Sequence, residues 1–214
     1  MLAERIHDQD WEVTERLRTV FDCSRDECIN IVREVVGARA DAVEDDPVTA
    51  GGQFAYIHGT RNVRGLFRSK GWVSYCRDNI EGVRHVSRDL KVIYQNVDLA
   101  AATRWPQPVS SKGAGSERLI DASCASLFSE EELRLLSGTH RGGHEAGIWY
   151  FCVSVDGDDV RAELSLPSGV ANGRFSGFIE RIFILRSGDW SRYAVEDDFS
   201  GGGAAEFEPV VSRK

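Results

Sequence analysis

Residues 61–92 carry a positive charge in an otherwise acidic chain. Eight bases face three acids there, a net of +5, whereas residues 1–60 carry 13 acids and 6 bases, a net of −7; the 214-residue chain as a whole stands at −8. Arg64, Arg68 and Lys70 precede Trp72, and Arg77, Arg84 and Arg88 follow it. Guanidinium groups match phosphate oxygens in a bidentate way. An aromatic ring beside them can stack on a base. This composition fits a nucleic acid or another anionic surface, including an acidic protein. Glu81 lies four residues after Arg77 and three before Arg84, so pairing within the segment is the competing expectation.

Three further groups carry weaker chemistry. His140 and His144 are four apart with Glu145 adjacent, a spacing that lets two imidazoles share a metal on a helix. Gly142 and Gly143 lie between them and argue for a loop, and a third ligand would have to come from a distant residue such as His58 or Cys124. Asp156, Asp158, Asp159 and Glu163 form a carboxylate cluster of the kind that holds Mg²⁺ at a scissile phosphate. Turn chemistry already accounts for three of these acids, and no acid-x-Lys follows on a strand. The stretch KGAGSER, 112–118, is Gly-rich but lacks the order of a P-loop, and Ser116 is not in a Gly-x-Ser-x-Gly elbow. No motif requires a cofactor.

The totals bound what surrounds these groups. Hydrophobic residues are 42% and charged residues 28%, enough for a substantial core. No apolar run approaches membrane-spanning length, and the acidic N-terminus has no signal-like core. A cytoplasmic protein is the expectation. The five cysteines, Cys23, Cys28, Cys76, Cys124 and Cys152, show no C-x-x-C and read as reduced thiols. The leading functional expectation is a non-catalytic binding protein whose contact set is Arg64, Arg68, Lys70, Trp72, Arg77, Arg84 and Arg88. One alternative is a protein-interaction or inhibitor protein acting through its acidic surface. The other is a metal-dependent hydrolase or nuclease using the histidine loop or the carboxylates. A homo-oligomer with an axis near residue 72 would join two basic segments into one track.

The elements that must position these residues read as α+β: N-terminal helices, then a mostly antiparallel sheet with a hairpin meander, in one domain over 1–196. Residues 9–22 are periodic as a helix. Ser24 and Glu27 form a capping box opening a second helix that Gly37 would stop. Together residues 1–37 form a helical arm. An acidic loop follows, then QFAYIHGT as a strand and 72–88 as a helix with Arg77, Arg84 and Arg88 along one side; this basic helix and strand region spans 53–100. LKVIYQNVDLA alternates as a strand, 103–116 reads as loop, and 129–137 as a capped helix. The meander covers 147–186, with an Asp-Gly turn at 156–159. Residues 197–214 form a Gly-rich tail.

Overall fold

The computed structural model describes residues 4–127 and 147–194. Helices and strands share the chain, and the strands form one seven-stranded sheet among the described residues, in the order β1-β7-β6-β5-β4-β3-β2. The strands are β1 (Arg5–His7), β2 (Val73–Arg77), β3 (Ile80–Arg84), β4 (Leu90–Asn96), β5 (Gly147–Asp156), β6 (Asp159–Ala171) and β7 (Arg174–Leu185). The helices are α1 (Asp10–Arg16), α2 (Arg25–Ala40), α3 (Ala50–Ser69), α4 (Ala114–Leu127) and α5 (Trp190–Ala194), and a π-turn at Leu17–Phe21 continues α1.

The sheet is mixed rather than mostly antiparallel. β1 runs parallel to β7, and β4 runs parallel to β5. A parallel pair needs a long connection, and α4 lies within the one that joins β4 to β5. The β5–β6–β7 meander is antiparallel as its alternation implies, with Gly157 at φ 55° in the first turn and Asn172 and Gly173 at 54° and 73° in the second. β7 starts at Arg174, earlier than the apolar run at 178, because Asn172-Gly173 supplies a two-residue turn with both φ values positive.

Two assignments in the basic segment are exchanged. Residues 53–60 lie in α3, not in a strand, and 72–88 hold the β2–β3 hairpin, not a helix. In α3 the buried residues Ala55, Gly59, Val63 and Phe67 recur every four positions. The glycines between them hide this period from a count of apolar side chains. Gly59 is needed there, because a methyl at that position would overlap the Tyr94 ring. In the hairpin, Asp78 and Asn79 take φ of 53° and 60°. These residue types tolerate that conformation and reverse the chain in two residues. Likewise α2 runs past Gly37 to Ala40, while its capping box forms as the sequence implies.

Each face of the sheet buries its own layer. On one, Trp149, Phe151 and Val153 pack with Val92, Leu164 and Ile182 beneath α1–α3, and Phe21 meets Trp149 edge-on at 5.1 Å. On the other, Ile93, Ile148, Tyr150, Cys152, Phe175 and Phe178 pack with Ile120 of α4. Paired charges are buried within both layers. Arg181 and Glu163 are fully buried and doubly hydrogen-bonded at 2.9 and 2.7 Å. Glu180, on the opposite face, accepts from His7 Nε2 at 3.0 Å and from Arg16.

Candidate ligand cleft

The β3–β4 ladder ends at the Gly82↔Ile93 pair, so Tyr94, Gln95 and Asn96 have no strand neighbour on that side. A cleft of about 1030 Å³ opens where the two strands part. Its walls come from the first half of α3 (Gly52, Gln53, Tyr56, Ile57), the hairpin turn (Asp78, Asn79), the end of β4, residues 109–113, and the start of α4. Tyr150 of β5 forms part of the floor. The site therefore lies at the carboxyl end of a parallel strand and at the N-terminus of the helix that follows it, where ligands of such sheets commonly bind. The hairpin turn and α4 approach closely: a Cβ on Gly115 would sit 3.0 Å from Asp78 Cβ.

Lys112 is the lysine of this cleft. The chain contains 22 arginines and only four lysines. Lys70 and Lys91 are ion-paired with Glu27 (3.0 Å) and Asp89 (2.6 Å). Lys112 instead donates to the Gln95 side-chain carbonyl and stands 4.0 Å over the Tyr150 ring, with the Phe175 ring at 5.3 Å. Gln95 Nε2 donates to the Asn96 carbonyl at 2.9 Å, which turns Oε1 toward the lysine. The chain on either side is clamped. Lys112 N donates to Gly173 O at 2.9 Å, and Gly173 N donates to Glu117 Oε1 at 3.2 Å. Burial among these groups pulls the Lys112 ammonium down to about 7, against a small opposing pull from the Cys152 thiol. Arginine could not serve here, because it stays charged.

The Tyr150 hydroxyl is buried and makes no hydrogen bond of acceptable geometry. Burial pushes this phenol well above its usual range, Cys152 adds to the effect and Ser116 opposes it, so Tyr150 stays a protonated donor. The rim is apolar. Of the nine large hydrophobic side chains exposed among the described residues, four (Val48, Tyr56, Ile57 and Val109) line this one cleft. Clustering of that kind marks interaction surfaces, whereas scattered exposed residues do not.

The seven residues expected to contact an anion do not form one surface. Trp72 is 4% exposed, packed 4.8 Å from Phe67 and 5.1 Å from His85, so it offers no face to a base. Arg64 is spent on Glu81 (2.8 Å) and on the carbonyls of Gly82 and Tyr75 (3.1 and 3.0 Å). Lys70 is held by Glu27. Arg68 is exposed on α3. Arg77 and Arg84 are exposed on the hairpin and share the face carrying Tyr75 and Ile80, ~13 Å apart by strand rise. Arg77 lies 3.8 Å from Asp78. Arg88 is partly buried in the β3–β4 turn. The helical stripe that would have aligned Arg77, Arg84 and Arg88 does not exist.

The carboxylates also separate. Asp156 and Asp158 are exposed at the hairpin turn, Asp159 binds Arg161, and Glu163 is buried against Arg181. Glu180 sits on the other face of the sheet, opposite Leu166 rather than Glu163. Among the described residues no group of three or more His, Cys, Asp or Glu is placed to hold a metal. His140, His144 and Glu145 lie outside the described residues, as do the helix expected at 129–137 and the C-terminal tail. Among the described residues no helix is long and apolar enough to cross a membrane.

The sequence contains the signal for this cleft in KGAGSER, a lysine followed by small residues at a helix start. Matching it only against a phosphate-binding loop discards it, because its lysine precedes the glycines. Comparison with family models, curated proteins and solved structures finds no match to this chain.

Proposed function

We propose that this chain is a small-molecule-binding protein whose ligand has an apolar body and a polar head. The body lies between Ile57, Tyr56 and Val109 at the mouth, and the head reaches Lys112, Gln95 and Tyr150. The observation that carries the reading is the coincidence of four exposed hydrophobic residues with one cleft that also holds a lysine with no carboxylate partner among the described residues. Sites for small ligands combine an apolar lining with a few convergent polar groups in this way. The test uses 4-phenylbutan-2-ol, whose ring and hydroxyl match the two ends. It should raise the melting temperature of the wild type and not of Ile57→Glu. Val86→Glu, an exposed valine outside the cleft, should respond as wild type does. Equal stabilisation of all three proteins overturns the assignment.

The exposed pair Arg77 and Arg84 on one hairpin face favours a second reading, in which the protein contacts a phosphate-bearing partner such as nucleic acid. Electrophoretic retardation of DNA or RNA that weakens steeply with salt, and is lost in the double Arg→Glu variant, would carry it. Retardation by the double variant equal to wild type would exclude this face.

A further inference from the structure

We infer that Lys112 is the nucleophile of the cleft and that its ligand is an apolar aldehyde or ketone, bound covalently as a Schiff base. This rests on the cleft being a ligand site, and it specifies the head group.

The geometry supplies each part such a step needs. An amine attacks a carbonyl only through an unprotonated lone pair. Lysines reach that state at neutral pH when desolvated and left without a carboxylate partner. Lys112 is desolvated and, among the described residues, has no carboxylate partner. Among the described residues its hydrogen bond to a side chain goes to the Gln95 carbonyl, which can only accept, so the bond consumes an N–H and leaves the lone pair available. The developing oxygen needs a donor. Tyr150 lies in the same cleft beside Ser116, and burial keeps its hydroxyl protonated. The product is a cation. Lys112 Nζ already stands 4.0 Å over the face of the Tyr150 ring, a position that stabilises positive charge.

The lone pair of Lys112 forms the C–N bond, and the carbonyl π pair moves to oxygen, which takes the Tyr150 proton. The surplus proton on nitrogen returns to the Tyr150 phenolate, giving a neutral carbinolamine. A proton from bulk water, admitted by the open mouth, lets the hydroxyl leave as water. The nitrogen pair closes to C=N and a protonated imine remains. Atoms and charge balance with one water released, and no oxidant or reductant is required.

The experiment uses 4-phenylbutan-2-one with sodium cyanoborohydride at pH 7, followed by peptide mapping. The alcohol 4-phenylbutan-2-ol, which cannot form an imine, is titrated in parallel. A reduced adduct should form at Lys112 at least about tenfold faster than at Lys70 or Lys91, since ordinary lysines are almost wholly protonated at that pH. Lys112→Arg should remove this adduct. Tyr150→Phe should slow it by about tenfold or more even at ketone concentrations that saturate the cleft, a modest general-acid contribution. Labelling spread evenly over the lysines, or absent from Lys112 while the alcohol still binds, overturns the covalent proposal and leaves the cleft reading intact. If the alcohol does not bind either, both are overturned.

Discussion

Glu180 should act as an acid trigger for unfolding. Burial alone would raise this carboxyl, but the hydrogen bonds from His7 and Arg16 and the Arg16 charge outweigh it and hold it at about 2, against an ordinary 4.5. A folded-state value below the unfolded one adds stability that is complete above pH 4.5 and is lost as pH falls toward 2. The full span corresponds to about 3 kcal/mol, and about 2 kcal/mol of it should vanish between pH 6 and pH 3. That is a large share of a typical domain stability of about 5–15 kcal/mol. The perturbation is Glu180→Gln, which keeps the shape and removes the charge. At pH 7 it should cost about 3 kcal/mol, because the hydrogen bonds from His7 and Arg16 to a buried carboxylate are weakened. Urea unfolding of both proteins across this pH range reads the gap between them, which should narrow by about 2 kcal/mol toward pH 3. A gap of constant size would refute the reasoning, since it would mean that Glu180 titrates alike in the folded and unfolded chains.

Other outcomes follow from the buried charges and thiols. Glu163→Gln should destabilise by about 3–5 kcal/mol in chemical denaturation, because Arg181 is fully buried and stacked 4.8 Å from Phe183; the paired replacement of Glu163 and Arg181 by methionine should cost less than the single change. Lys112→Met should raise stability, and more at pH 6 than at pH 10. The unfolded chain binds a proton up to about 10.5 while the folded chain releases it near 7, so wild-type stability climbs between those values; a stability difference that does not change with pH would contradict this. Iodoacetamide at pH 8, followed by peptide mapping, should modify the exposed Cys76 quickly and Cys28 and Cys152 only on unfolding. The Cys28 thiol is pushed up by its contact with Cys23 at 3.7 Å and by burial, and the Cys152 thiol by burial and by Glu163.

What could be read from the sequence was what local patterns encode. The capping box at Ser24, the Asp-Gly hairpin and the alternation of β6 each involve neighbours in the chain, and each forms. Pairing between distant segments left weaker marks. The parallel contacts of β1 with β7 and of β4 with β5 make the sheet mixed, and no short pattern announces them. α3 was obscured because its packing face is built partly from glycine, with Gly59 making room for Tyr94. The hairpin at 73–84 was obscured because its apolar residues happen to fall at helical spacing, while the informative pair, Asp78-Asn79, lacks the glycine that usually marks such a turn. The cleft depends on a place where two strands separate, so its residues come from segments about a hundred positions apart. Lys112 was visible only as part of a failed phosphate-loop pattern.

The most direct test of the central claim is a crystallographic soak with 4-phenylbutan-2-one. Electron density is expected with the ring between Ile57 and Val109 and the carbonyl carbon against Lys112 Nζ. Density bound elsewhere on the surface, with the cleft holding only solvent at saturating ligand, would contradict it.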